Sequence, residues 1–248
     1  MSLSERLRRR EPLVGTWVKT PHPHVVEVLG ASALDLLVLD AEHAPFGRGA
    51  LDQCLLAARA VGKPVLVRPA SRAPEAILQA LDGGANGIVA PHIGSADDAE
   101  QLVRACHYRP GGRGYAGSSR AAGYTTLGMA RHRAQARSVA VVAQIEDAEA
   151  LDAIEAIAAV EGIDALFIGR ADLTVSLGAE TMDDPRVIAA VERICAAGIA
   201  AGRAIGMFVA RTQDVPMWRA RGASLFVLQS DQEFLLAGAR ALVAATAP

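Results

Sequence analysis

VAVVAQIEDAEALDAIEAIAAVEGIDALFIGRADL (139–173) holds one complete structural repeat. It opens with a continuous apolar run, 139–146, too short for a helix and lacking the alternation of a half-exposed strand. Such a run predicts a strand buried on both faces. From 147 to 160 the apolar residues recur three and four apart, as on an amphipathic helix. Gly162 then marks a helix stop, because glycine enters the left-handed region without steric cost. DALFIG (164–169) follows as a second buried strand. Strand, helix, glycine and strand in this order make a parallel βα unit.

The unit repeats outward in both directions. Apolar runs at 13–18, 34–40, 64–69, 87–93, 204–210 and 224–230 bring the predicted strands to eight. Helical spacing fills ALDQCLLAARAV (50–61) and PEAILQALDG (74–83), and glycine precedes the strand in LGASALDLLVLD (29–40), DGGANGIVAPH (82–92) and RGASLFVLQS (221–230). No Pro/Gly/Ser linker divides the chain. Eight such units in 248 residues point to the α/β class and a single (β/α)8 TIM barrel, one domain over 1–248.

Composition excludes several function classes. With 25 basic against 27 acidic residues, and no basic block beyond Arg6–Arg10, nucleic acid is not an expected partner. The amino terminus has no apolar core of a secretory signal, and no apolar run reaches the ~18 residues of a membrane span. A soluble, cytoplasmic protein is expected. Cys54, Cys106 and Cys195 fall in predicted helices with no CxxC pattern, which argues against disulfides or a zinc site. HExxH, GxSxG and P-loop patterns are absent, and GGRGYAG (111–117) lacks the strand-to-helix context of a dinucleotide motif. The long segment RPGGRGYAGSSRAAGYTT (109–126) is either a solvated connection or a loop that binds an anion or reaches a neighbouring subunit.

In a TIM barrel, active sites gather at the carboxyl ends of the strands. Reading those ends gives Trp17 and Lys19, then Asp40 to His43, Arg68, His92, Gln144 with Glu146, and Gly169 through Asp172. Glu146 and Asp172 stand one repeat apart on adjacent strand tips. Two carboxylates that close repel unless a cation intervenes, and an all-oxygen set suits a hard divalent ion. The alternative is that each merely caps the next helix. His43 is an acid–base candidate near neutral pH, and Arg68, which keeps its proton, can face a developing oxyanion. His92 is an open choice between pocket and packing. His22 and His24 sit in a proline-flanked turn, and His107 and His132 are expected on solvated helix faces.

LVLDAEHAPF (37–46), VLVRP (65–69), AQIED (143–147) and LFIGRADLT (166–174), with GTW (15–17) and PGGRG (110–114), resemble the HpcH/HpaI aldolase family of class II pyruvate aldolases. The resemblance runs in order over nearly the whole chain. It implies Glu146 and Asp172 as ligands of Mg2+, Mn2+ or Co2+, and His43 as a catalytic histidine paired with Asp82. It further implies Arg68 on the keto oxygen, and the amides of Ala171 and Asp172 on the pyruvate carboxylate with Gln144 close by. Trp17 joins these as a substrate-binding candidate. The implied partners are a 2-oxo acid and an aldehyde, and the implied assembly is a homo-oligomer, commonly a hexamer. Arg170 departs from the family's usual proline and could recruit another anion or point to solvent. Two rivals stand beside this expectation. One is a citrate-lyase-like enzyme acting on malyl- or citramalyl-CoA, with Arg170 and the 109–126 arginines on the CoA phosphates. The other is a non-catalytic, metabolite-binding barrel.

Overall fold

A computed structural model describes residues 1–246. Eight strands, β1 (Leu13–Val18), β2 (Leu36–Asp40), β3 (Val65–Arg68), β4 (Gly87–Ala90), β5 (Ala140–Ile145), β6 (Ala165–Ile168), β7 (Ala204–Val209) and β8 (Ala223–Ser230), pair in sequence order into a closed barrel. Every neighbouring pair is parallel, including β8 on β1. The predicted (β/α)8 architecture is therefore present, with every strand end within three residues of the predicted run.

The connections are α2 (Pro23–Gly30), α3 (Arg48–Ala60), α4 (Pro74–Asp82), α5 (Ala96–Cys106), α6 (Met129–Gln135), α7 (Ile154–Ala159), α8 (Arg170–Ser176), α9 (Pro185–Ala200), α10 (Val215–Ala220) and α11 (Asp231–Thr246), after an amino-terminal α1 (Leu3–Arg8). The helix expected over 147–160 starts as a 3-10 segment over 148–153 before α7, with no side-chain cap at either start. Gly84, Gly162 and Gly222 hold positive φ after their helices, as the sequence predicts. Gly30 does not. It lies inside α2, where a Cβ would come 2.4 Å from Val61, so close packing of α2 requires it.

Apolar side chains divide into two layers. Strand residues facing outward join the helices in one core, and those facing inward fill the barrel with Trp17, Leu36, Leu66, Phe167 and Leu225. Leu3 and Leu7 of α1 belong to the inner layer and plug the amino end of the barrel. Asp164, just before β6, fastens this plug by accepting from Ser4 Oγ at 3.0 Å and Arg8 Nε at 2.6 Å. The carboxyl ends of the strands stay open as the mouth.

Candidate active site at the barrel mouth

Asp40 and Arg68 are Cα partners at the last rung of the β2–β3 ladder. That register lets Arg68 donate twice to one carboxylate, Nε to Oδ1 at 3.0 Å and Nη2 to Oδ2 at 2.8 Å. Asp40 is fully buried and Arg68 is 6% exposed. Burial alone would raise the Asp40 carboxyl. The Arg68 bonds and charge, the His43 N–H and Lys19 outweigh it and hold the group below the ordinary carboxylate range. Arg68 also lies 4.2 Å from the Trp17 ring and 3.2 Å from Glu42 Oε2. Its guanidinium is thus fixed on the cavity wall, with little rotamer entropy left to lose when a substrate arrives.

Glu146 follows β5 and is 1% exposed. Burial pushes its carboxyl up, the Gln144 and His92 hydrogen bonds pull it down, and the nearby Asp172 charge adds to the upward push. Gln144 Nε2 donates to Oε2, and the His92 N–H donates to Oε1 at 2.8 Å. His92 reaches that position with φ +55°, a left-handed conformation that non-glycine residues seldom adopt. Its ring meets Asp147 at 3.0 Å. Gly169 makes the room: a Cβ there would stand 2.7 Å from Glu146 Oε2. Neither the segment after Glu146 nor α8 is capped by a side chain, so helix capping does not account for Glu146 or Asp172.

Trp17, Lys19, His43, Arg68, Gln144, Ala171 and Asp172 line a single cavity of about 530 Å3. Among the described residues no group of three or more His, Cys, Asp or Glu side chains is gathered to hold a metal. Buried Glu146, raised by its own desolvation, and exposed Asp172 form a two-carboxylate, all-oxygen set. That set fits a hard divalent ion, for which substrate or water would have to supply the other ligands.

Residues 13–237 match the family described as HpcH/HpaI aldolase/citrate lyase. The chain belongs to this family. It is 36% identical over 251 residues to a hydroxypyruvate/pyruvate aldolase of Paraburkholderia phytofirmans, covering 96% of this chain and 94% of the relative. A 4-hydroxy-2-oxo-heptane-1,7-dioate aldolase of Salmonella heidelberg is 33% identical, with 98% and 93% covered. Among solved structures, a family protein from Burkholderia cenocepacia superposes with a TM-score of 0.92 at 36% identity, covering 98% of both chains. As a member of the HpcH/HpaI family this protein is a carbon–carbon lyase of the aldolase type.

Some expected site residues of this HpcH/HpaI protein sit elsewhere than sequence suggests. His43 is in place at the mouth, its side chain 52% exposed and Nε2 3.6 Å from Glu42 Oε2. Asp82 is not its partner within the chain. It is the last residue of α4, and a helix antiparallel to the strands ends at the plugged face of the barrel. There Asp82 accepts from Arg113 Nη2 at 2.5 Å. The 109–126 segment packs on the same face, with Arg120 donating to the Gly83 carbonyl at 2.9 Å and to Asp52 Oδ2 at 2.8 Å. Arg170 does not point to solvent but lines the cavity, without a carboxylate partner among the described residues. Its guanidinium is buried 4.9 Å from the Trp218 ring and donates to the Met182 carbonyl at 3.1 Å. His132, expected on a solvated face, is 2% exposed and packs against Tyr108 and Tyr115. Sequence reasoning assigned no role to Asp40, Glu42 or Gly169. The D-x-E-H string at a strand tip was the available signal for the first two.

Proposed function

We propose that the protein is a divalent-metal-dependent class II aldolase of the cytoplasm that forms or cleaves 4-hydroxy-2-oxo acids through a pyruvate- or hydroxypyruvate-derived enolate. The observation that carries this is the buried Glu146, which feels the Asp172 charge, directly behind a cavity lined by Asp172, Gln144 and the immobilised Arg68. The named relatives act on hydroxypyruvate, pyruvate or a 4-hydroxy-2-oxo diacid, in keeping with such a cavity.

Glu146 and Asp172 would hold Mg2+, Mn2+ or Co2+, which supplies Lewis acidity to the bound 2-oxo acid. The amides of Ala171 and Asp172 and the Gln144 side chain take the carboxylate of that acid. Arg68, kept rigid by Asp40, sets fixed positive charge against the keto oxygen as the enolate forms. Trp17 supports Arg68 from below. His43 carries the proton between C3 and solvent or the acceptor oxygen.

An Asp82 that orients His43 has to come from a second copy, because its own lies at the far face of the barrel. A homo-oligomer, a hexamer as in the family pattern, supplies such a copy. The carboxyl-terminal helix favours assembly too, since α11 leaves Leu235, Leu242 and Val243 about 70% exposed. The CoA-ester alternative draws less support from the chain, because Arg113 and Arg120 are paired with Asp82 and Asp52. The test is pyruvate release from a panel of 4-hydroxy-2-oxo acids by metal-stripped protein, with and without Mn2+ or Mg2+. Release only with metal is the expected result; metal-independent release, or none, refutes the proposal.

A further inference from the structure

Of the 25 basic residues only two, Lys19 and Lys63, are lysines. In a chain so biased toward arginine, each lysine invites the question of what an ammonium does there that a guanidinium would not. Lys63 is accounted for: Nζ donates to the carbonyls of Ser32 at 3.0 Å and Leu34 at 2.6 Å, a compact cap ahead of β2. Lys19 has no such use. It directly follows β1, and its own N–H and that of Thr20 are clasped by the Asp231 carboxylate at 2.6 and 3.0 Å. The backbone is therefore pinned at the rim, while the side chain, 31% exposed, runs into the cavity.

The ammonium is only loosely matched. Its ion-pair partner is Asp40 Oδ2 at 3.5 Å, beyond ordinary hydrogen-bond length, and Asp40 already accepts twice from Arg68. Glu233 shares the cavity wall but is not within ion-pair distance of Lys19. One wall of the cavity holds Arg68, Gln144 and Asp172, where a 2-oxo acid is held. The rest of the lining comes from β7, β8 and α11, with Phe208, Gln229, Gln232, Glu233 and Leu236. Lys19 stands between the two groups, its Nζ and Arg68 Nη2 reaching the same Asp40 Oδ2 at 3.5 and 2.8 Å. The cations of the lining are Lys19, Arg68 and Arg170, of which Arg68 and Arg170 are buried and Lys19 is the accessible one. Beside it Gln229 is held at φ +53°, backbone strain of the kind that collects at binding sites.

We infer that Lys19 is a specificity-determining residue that selects acceptor aldehydes bearing an anionic group, a carboxylate or a phosphate, and holds the same end of the hydroxy-oxo acid during cleavage. The inference rests on the aldolase reading. A half-paired ammonium facing the free part of the cavity gains a charge-assisted hydrogen bond from an anionic acceptor and nothing comparable from a neutral one.

The test compares wild type with Lys19→Met, Lys19→Gln and Lys19→Arg, each loaded with Mn2+ and given pyruvate. The acceptors are glyoxylate and succinic semialdehyde (carboxylate), glyceraldehyde 3-phosphate (phosphate), and glycolaldehyde and propionaldehyde (neutral). The readout is the ratio of kcat/KM for anionic over neutral acceptors, so a uniform loss transmitted through Asp40 and Arg68 cancels. Wild type should favour at least one anionic acceptor by more than about tenfold. Lys19→Met and Lys19→Gln should lower that ratio about 10- to 100-fold, and Lys19→Arg should restore most of it. The better anionic acceptor distinguishes carboxylate from phosphate. A wild type without anionic preference overturns the inference even if both neutral variants fail to fold, and so does an unchanged ratio in either. Absence of turnover with every aldehyde would instead refute the aldolase reading, and this inference with it.

Discussion

Asp40→Asn removes one negative charge from the bottom of the mouth while keeping the side chain's shape, so no cavity complicates the outcome. Arg68 stays 6% exposed and loses the anion that accepts its two bonds at 3.0 and 2.8 Å. Stranding one member of a buried pair costs about 3–5 kcal/mol. Glu42 Oε2, 3.2 Å from Arg68 Nε, remains as partial compensation and places the expected loss near the lower end, about 3 kcal/mol. For a chain of this size that corresponds to a fall in Tm of about 6–12 °C. Thermal unfolding followed by circular dichroism measures it, if unfolding is reversible. The pH dependence adds a sign. Asp40 is held below its ordinary value of 3.8 in the folded protein, so its contribution is present above that value and is lost as pH falls through the folded one. Wild type should therefore shed more stability on acidification below about pH 4 than the asparagine variant does. A Tm within about 2 °C of wild type at neutral pH, or parallel acid profiles, would show that Arg68 is not held by this pair.

Glu146→Gln should raise the stability of the metal-free protein, because burial and Asp172 both disfavour the charge, and the unpaired Gln144 Oε1 can receive the new amide. The same variant should lose the gain that Mn2+ gives wild type, about 2.7 kcal/mol at a hundredfold excess over Kd or roughly 5–11 °C; an unchanged metal-induced shift by scanning calorimetry would remove Glu146 from the site. Gly169→Ala drives a Cβ to within 2.7 Å of Glu146 Oε2, so it should cost about 1–3 kcal/mol and impair metal affinity, read by denaturant midpoint and metal titration. His43→Ala should lower kcat about 10²–10⁴-fold with the fold intact. Full activity in that variant would take His43 out of proton transfer.

The barrel was legible because parallel strands covered on both faces leave uninterrupted apolar runs, and its glycines fall where helices turn back. The mouth residues were legible for a related reason: in a chain whose strand interiors carry almost no charge, polar groups at successive strand tips stand out. Three features were out of reach. The spacing of Asp82 says that it ends a helix, but only the direction of α4 shows that this end lies away from His43. The stacking of Arg170 on Trp218 joins residues 48 positions apart in separate helices, with no periodicity to connect them. His132 is buried by Tyr108 and Tyr115, which arrive from the irregular segment that sequence patterns describe least.

Because Leu3 and Leu7 stop one end of the barrel, the chamber has a single door. The groups proposed to grip the 2-oxo acid, Arg68 and Gln144, are almost wholly buried, whereas Lys19 and the α11 side chains stand nearer the rim. Traffic through one door forms a queue. In synthesis the 2-oxo acid has to be seated before the aldehyde closes over it, and in cleavage the aldehyde has to leave before pyruvate can. Pyruvate should then compete directly with the hydroxy-oxo acid for free enzyme, while the aldehyde product inhibits in a noncompetitive pattern.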